Sequence, residues 1–153
     1  MRAHDRGFTL IEVLVAMTVL TVGMLGAATL LLDGLQASRI ALQHAHAVAL
    51  TADVADSIRA NRGGGPAYAL AAGAALASPP WSCTAAGTCT AAQMAAVDLY
   101  RWQQLVLQAL PGAQTAITVT PVGTASFHAY EITIRWTQSG DSAAAAFMLT
   151  VQA

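Results

Sequence analysis

The first third of the chain is marked by a long run of apolar positions. From Val13 to Leu32 no residue is charged and none is proline, and leucine, valine, methionine and alanine dominate. A helix of this length spans about 30 Å, the thickness of a bilayer's hydrocarbon core. The run therefore predicts a membrane-spanning helix. Because Arg2 and Arg6 precede it, we expect the N-terminus to stay in the cytoplasm and the rest of the chain to be exported.

The helical pattern continues beyond this apolar run. Residues 34–61 contain no proline and many alanine, leucine, glutamine and arginine residues, which are mostly good helix formers. Three apolar positions fall four residues apart and share one helix face: Leu50, Val54 and Ile58. Asp56 and Arg59 lie elsewhere and are spaced for an i,i+3 ion pair. We predict one helix from about Phe8 to about Arg59, ended by Gly63-Gly64-Gly65-Pro66.

A second, amphipathic helix is predicted further along the chain. Thr90 and Gln93 are spaced for a capping box, in which each residue bonds the backbone of the other. Apolar residues then follow at helical spacing: Ala95, Leu99, Trp102 and Val106, with Leu105 and Ala109 widening the stripe. Asp98 and Arg101 lie on the other side, spaced for a solvated pair. Pro111-Gly112 ends this helix.

The last part of the chain alternates apolar and polar residues with a period of two. The alternation covers residues 117–120, 130–137 and 147–151, and turn-rich stretches separate these segments. This pattern predicts an antiparallel meander, in a fold of the α+β class with about three to four strands. One apolar face of the sheet needs a cover, and the exported half of the long helix is available for it. Residues 67–80 are alanine-rich and predict a short helix or an irregular loop.

Composition narrows the possible functions. Apolar residues make up 56% of the 153 residues and charged residues 10%, against roughly 25% charged in an ordinary soluble domain. The net charge is -1, so no basic field is present for nucleic acid, and we expect no nucleic-acid partner.

Candidate chemistry is sparse. The glycine run is not a phosphate loop, because no Gly-Lys-Ser/Thr follows it. His44 and His46 are two residues apart and point to different sides of a helix, which makes them a poor metal pair. With no nucleophile elbow and no clustered His, Asp and Glu set, we expect neither an enzyme nor a cofactor.

An ordinary signal peptide and a plain signal anchor are the two simplest interpretations of the N-terminal segment. An ordinary signal peptide would have a shorter apolar core, of about 7–15 residues, followed by a cleavage site. A plain signal anchor fits the length but has no need for Glu12. An isolated carboxylate inside a membrane segment costs roughly 2.5–3.5 kcal/mol on insertion scales, and such residues usually have a partner. A packed array of helices supplies that partner from a neighbouring chain.

Residues 6–16, Arg-Gly-Phe-Thr-Leu-Ile-Glu-Val-Leu-Val-Ala, resemble the class III signal of type IV prepilins. The resemblance implies that a prepilin peptidase recognises Arg6 and Gly7, cuts between Gly7 and Phe8, and methylates the amino group of Phe8. It also implies that Glu12, the fifth residue of the mature chain, pairs with the N-terminal amine of an adjacent subunit. The physics agrees, since a buried amine and a buried carboxylate each need the other.

The wider pattern is similar to the pilin fold, a long N-terminal helix packed on a small sheet. The short cysteine loop, Asp98 and Trp102 on one helix, and the Tyr130–Trp136 strand look most like PilV-type minor pilins. This implies a minor pilin that takes part in type IV pilus assembly or initiation. The implied regions are a leader (1–7), a membrane and assembly segment (8–32), an exported helix half (33–61) and a periplasmic domain (62–153).

The same resemblance implies location and partners. The protein would sit in the bacterial inner membrane, with its N-terminus cytoplasmic and its C-terminal domain periplasmic, before it enters the pilus. Implied partners are the lipid bilayer, prepilin peptidase, the inner-membrane assembly machinery and other minor and major pilins.

Two cysteines, Cys83 and Cys89, enclose five residues. This spacing does not match the two-residue spacing of redox or zinc pairs. In a periplasmic domain we expect a disulfide, worth about 2 kcal/mol on the chain-entropy model, in preference to two free thiols.

Some alternatives stay open at the level of sequence. A pseudopilin of the type II secretion system shares the same leader, helix and assembly logic. An adhesive binding module is compatible with either filament. Gly23 and Gly26, inside the apolar run, favour close helix packing, with a local weak point in the helix as the second interpretation.

Overall fold

The computed structural model describes residues 9–80, 83, 89–123, 127–138 and 144–153. The chain divides into two compact units, residues 1–40 and 41–153, with the boundary inside the first helix. The order of elements is α1 (Leu10–Ala60), a 3₁₀ helix (Arg62–Tyr68), α2 (Ala91–Ala109), β1 (Gln114–Val122), β2 (Phe127–Thr137) and β3 (Ala144–Gln152). The α+β class, the long helix, the second helix and a three-stranded antiparallel sheet are confirmed.

Helix α1 ends where the glycine run predicts. Asn61 follows it, and the 3₁₀ helix is interrupted at Gly65, where φ is +43°, a value that L side chains rarely adopt. Gly64 is required for a different reason, because a Cβ there would lie 2.7 Å from Cε2 of Tyr68. On the surface of α1, the predicted pair of Asp56 and Arg59 forms, with 2.7 Å between Oδ1 and Nη1. Both side chains are exposed, so this pair adds little stability.

Helix α2 begins with the predicted capping box. The Gln93 N–H donates to Thr90 Oγ1 at 3.3 Å, and the Thr90 N–H donates to Gln93 Oε1 at 2.8 Å. The predicted stripe is buried: Ala95, Leu99, Trp102 and Val106. The prediction that Leu105 and Ala109 widen this buried stripe was wrong for Leu105. Its side chain is exposed, and only Ala109 packs against the core.

The sheet is a meander with strand order β1-β2-β3. Ile117 pairs with Ile132, and Ile132 pairs with Leu149, so one face of all three strands is apolar. That face joins a single core with residues from both helices, among them Val54, Ala55 and Ile58 of α1. The last part of α1, with Ala47, Val54, Ala55 and Ile58, therefore covers the sheet, as predicted for the second half of this helix. Residues 69–80 are an irregular loop with one bridge, Leu70 to Ile117.

Candidate functional site

The N-terminal part of α1 is the most unusual surface of the described chain. Its large apolar side chains between Leu10 and Leu32 are 45% to 85% exposed. Among the described residues, α1 is the one helix whose length and composition suit a membrane span, and its most apolar stretch is not buried inside the chain at all. The core helix of a soluble protein would be mostly buried. This surface requires lipid or neighbouring helices to cover it.

The polar side chains of this segment are satisfied within the helix, with one exception. The hydroxyls of Thr18, Thr21 and Thr29 donate to carbonyl oxygens three residues earlier at 2.8–2.9 Å. Such bonds keep a hydroxyl compatible with an apolar environment. The exception is Glu12, whose exposed carboxylate has no hydrogen bond or ion pair with another residue that the structure describes. Glu12 is therefore the position where this helix lacks a partner for a charge.

Glu12 lies in the first turn of α1. Its N–H and that of Val13 both donate to the Thr9 carbonyl, at 3.1 and 3.3 Å. A carboxylate at this end of a helix is favoured by the helix dipole, by about 0.3–1 kcal/mol at an exposed site. That is less than the insertion cost of the charge, so the dipole alone does not satisfy Glu12 in a membrane.

The glycines of the apolar run do not serve packing within the chain. A Cβ built at Gly23 or Gly26 would meet nothing within 4 Å. If these residues allow a close approach, the approaching atoms belong to another molecule, which is the packing interpretation from the sequence. The other predicted residues of this region, Gly7 and Phe8, lie outside the described residues.

A buried tyrosine joins three elements of the second unit, residues 41–153. The Tyr68 hydroxyl donates to Asp98 Oδ2 at 2.7 Å and accepts from Asn61 Nδ2 at 3.1 Å. Asn61 also donates to the Ala91 carbonyl at 2.8 Å. The predicted solvated pair of Asp98 with Arg101 was therefore wrong, because the carboxylate binds the tyrosine instead. This cluster ties the end of α1, the 3₁₀ helix and α2 together.

Burial raises the pKa of Tyr68 well above its ordinary value, and the hydrogen bond to Asp98 raises this pKa further. A raised pKa means that the folded state keeps a proton that the unfolded state releases above about pH 10. The stability that this proton gives is complete below that pH and is lost as the pH rises above it. Burial also raises the pKa of Tyr130, which adds to the same loss.

Replacing Tyr68 with phenylalanine is expected to lower the free energy of unfolding by about 1–2 kcal/mol, since Asp98 loses a donor. It should also reduce the alkaline loss of stability above about pH 10. Urea unfolding of the full chain in detergent at two pH values measures both effects. Tyr100→Phe is the matched control, because no described residue bonds that hydroxyl, and it should change stability by less than about 0.5 kcal/mol. Equal effects of the two variants would contradict the role of Tyr68.

Gln103 holds the irregular loop against the sheet. Its Oε1 accepts from the Leu76 N–H at 2.9 Å, and its Nε2 donates to the Ala74 carbonyl at 2.6 Å and to Thr115 Oγ1 at 3.1 Å. The sequence interpretation missed this residue. The available signal was its spacing, four residues after Leu99 and three before Val106, which places an amide on the buried face of α2.

The cysteines and His44, which the sequence analysis also singled out, lie at separate positions and do not form a common site. Cys83 and Cys89 are joined by a disulfide, as predicted from their spacing. His44 packs edge-on against Trp136, with 5.0 Å between ring centroids, so it contacts the core of the second unit, residues 41–153. Among the described residues no group of three His, Cys, Asp or Glu side chains is placed to hold a metal ion.

Two protein-family models match the chain. Residues 2–28 match the prokaryotic N-terminal methylation motif, and residues 29–100 match the family described as Tt1218-like, type IV pilin Tt1218. No curated protein and no solved structure gives a significant match. The methylation motif begins before the exposed apolar helix, and the second match covers the rest of α1 and the first half of α2. With the α+β architecture, these two matches identify the chain as a member of the type IV pilin-like family.

Proposed function

We propose that this protein is a minor pilin that takes part in the assembly or initiation of a type IV pilus. It is made as a prepilin, processed, and packed into the filament or its tip complex through its N-terminal helix. One observation carries the proposal: the methylation motif, residues 2–28, includes the start of the exposed apolar part of α1 and an exposed carboxylate, Glu12, that pairs with no described residue. The likeness to PilV-type minor pilins supports the subtype.

The proposed organisation follows the chain. Residues 1–7 are a leader, 8–32 the membrane and assembly segment, 33–61 the exported half of α1, and 62–153 a periplasmic domain. The arginines before the apolar run support a cytoplasmic N-terminus. The disulfide supports an oxidising compartment such as the periplasm for the C-terminal part.

Each residue of the motif has a proposed role. Arg6 and Gly7 serve recognition by prepilin peptidase, and Phe8 becomes the methylated first residue. The carboxylate of Glu12 then receives the new amine of a neighbouring subunit, which gives both charges a partner in an apolar environment. This role fits a family that is structural, and we propose no catalytic activity. The proposed partners are the lipid bilayer, prepilin peptidase, the inner-membrane assembly machinery and other minor and major pilins.

Mass spectrometry of the mature N-terminus tests the processing step. We expect the mature chain to begin at Phe8 and to carry one methyl group. Replacing Gly7 with leucine should leave the full precursor uncut, because the bulky side chain blocks access to the peptide bond. Gly23→Leu is the matched control, since it places the same side chain far from the cleavage site and should still be cleaved. A wild-type chain that retains Met1, or one cut near Ala28, would contradict the proposal.

A pseudopilin of the type II secretion system is the alternative, because the methylation motif and the exposed helix suit that filament equally. Deletion of the gene separates the two functions. Loss of the protein from purified pili, with normal secretion, supports the minor pilin. A secretion failure with intact pili supports the pseudopilin.

A further inference from the structure

Charge is sparse in the first unit. Its described residues, 9–40, carry three charged side chains, which are Glu12, Asp33 and Arg39. Arg39 is exposed, and it forms no hydrogen bond or ion pair with another residue that the structure describes. The proposed topology places it on the exported side, whereas arginines close to a membrane span are concentrated on the cytoplasmic side. An arginine at this position therefore calls for a partner outside the described chain.

The depth of Arg39 follows from the helix on which it lies. The apolar run ends at Leu32, and Arg39 is seven residues further along α1. With Leu32 at the edge of the hydrocarbon core, the Cα atom of Arg39 lies about 10 Å beyond that edge. The headgroup layer on each side of a bilayer is about 5–7 Å thick. The backbone of Arg39 is therefore just outside this layer.

Helix geometry directs the side chain of Arg39 back toward the membrane. Every Cα–Cβ bond of an α-helix tilts toward the N-terminus, and for Arg39 that direction leads to the apolar run. The long apolar stem of an arginine can extend by about one helical turn, about 5 Å, and keep its charged end in a polar layer. The guanidinium then lies about 5 Å beyond the hydrocarbon edge, inside the headgroup layer that holds the lipid phosphates.

We propose that Arg39 binds the phosphate group of an anionic phospholipid in the leaflet on the exported side of the membrane. The inference rests on the proposed function, because residues 8–32 must span the bilayer. A guanidinium donates two parallel hydrogen bonds to one phosphate, and its positive charge is attracted to an anionic lipid surface. The contact holds the exported end of the span at a fixed depth and needs no second protein chain.

A carboxylate of another copy is the competing partner for Arg39. Asp33 is the nearest acid along the helix, but it lies six residues, about 9 Å, closer to the membrane centre. The same apolar run holds every membrane-bound copy at the same depth, so Asp33 of a neighbour is displaced from Arg39 by the same distance. The Asp33 side chain also tilts toward the N-terminus, which widens the gap. Phosphates surround a single helix at the required depth, so they fit Arg39 better.

Solid-state NMR of the full chain in phosphatidylglycerol vesicles measures the contact. The guanidinium carbons of arginine are isotope-labelled, and their coupling to lipid phosphorus reports pairs within about 5 Å, as hydrogen bonds to a phosphate require. We expect Arg39→Gln to remove about a third of the coupled signal, because Arg2 and Arg6 before the span contribute the rest. Arg101→Gln removes an exposed arginine of α2 and should leave the coupled signal unchanged.

An exchange of two residues separates the position of the charge from composition. Arg39→Gln combined with Gln43→Arg keeps the net charge and moves the cation about 6 Å further from the membrane, beyond reach of the headgroup layer. This variant should lose the same part of the coupled signal as Arg39→Gln alone. Circular dichroism checks that it folds. A folded exchange variant with the full wild-type coupling would overturn the proposal.

Two further measurements identify the phosphate and test the membrane segment separately. In non-ionic detergent with inorganic phosphate, the coupling lost in Arg39→Gln should be absent, and its presence there would overturn the assignment to lipid. Alkaline carbonate should leave the wild type in the vesicles. Extraction of the wild type would overturn the proposed membrane segment and this inference together. An inserted wild type whose coupling Arg39→Gln does not change would overturn this inference alone, as expected if Arg39 pairs with a carboxylate of another copy.

Discussion

Replacing Glu12 with alanine is expected to leave cleavage after Gly7 intact and to remove most of the protein from filaments. The carboxylate lies in the first turn of α1, whose large apolar side chains between Leu10 and Leu32 are exposed, and no described residue of its own chain pairs with it. On the proposed function, the amine of a neighbouring subunit supplies the missing charge in a filament. Without Glu12 that amine is buried and unpaired, which costs several kcal/mol, so incorporation should fall by at least about a hundredfold.

Quantitative immunoblotting of purified filaments, with the membrane fraction as the internal reference, measures this effect. Glu12→Gln is the matched variant, because it keeps the shape of the side chain and one acceptor oxygen, replaces the other oxygen with an NH2 donor, and removes the charge. It should behave nearly like alanine if an ion pair is required. Val13→Ala, the neighbouring position, is the control for a general loss of apolar surface and should incorporate nearly normally. Filaments that contain Glu12→Ala at the wild-type level would refute the pairing.

Replacing Trp102 with alanine is expected to lower the free energy of unfolding of the second unit, residues 41–153, by about 3–5 kcal/mol, because a large buried side chain is removed and a cavity remains. Trp102 is 2% exposed and lies in the core shared by α1, α2 and the sheet. Its Nε1–H also donates to the Leu50 carbonyl at 2.8 Å, a contact between α2 and α1. For a domain near the lower end of the usual range of about 5–15 kcal/mol, a loss of this size removes most of the free energy of unfolding.

Trp102→Phe separates the two contributions. Phenylalanine keeps most of the buried aromatic surface but cannot donate to Leu50, so it should cost about 1–2 kcal/mol. Trp136→Phe is a useful comparison, because the Trp136 Nε1–H is buried and has no hydrogen-bond partner among the described residues. Its replacement removes an unsatisfied donor and should cost less than Trp102→Phe. Urea unfolding followed by far-ultraviolet circular dichroism measures all three variants, and an inverted order of the two phenylalanine variants would contradict this reasoning.

The periodic elements could be predicted from the sequence because their patterns are local. The spacing of four in α1 and α2 and the alternation in β1, β2 and β3 each state which face is buried, and the structure buries those faces. The capping box of Thr90 and Gln93 was equally readable, since both partners lie within four residues. The predicted assembly residue, Glu12, was identifiable because a charge in a long apolar run is costly to insert into a membrane and usually has a partner.

The contacts that cross the chain could not be predicted in this way. Tyr68 and Asp98 are 30 residues apart, and either residue alone suggests only an ordinary buried aromatic or a solvated acid. The predicted ion pair of Asp98 with Arg101 was wrong. The spacing of three residues permits such a pair, but the tertiary structure places the Tyr68 hydroxyl beside the Asp98 carboxylate, and this hydroxyl donates to it instead. Leu105 was misplaced for a related reason: α2 buries a narrower stripe than the count of apolar positions suggests.

The sequence by itself determined the class of protein, because the methylation motif, the bilayer-length apolar run and Glu12 are local features that lie close together near the N-terminus. It also indicated where α1, α2 and the three strands lie, although the strands are longer than the alternating segments and the 3₁₀ helix was not predicted. Only the tertiary structure decided which polar groups share hydrogen bonds, and which edge of the sheet the irregular loop caps. The physical reason is that residue type and spacing fix a local conformation, whereas a long-range pair depends on where the whole chain has placed both partners.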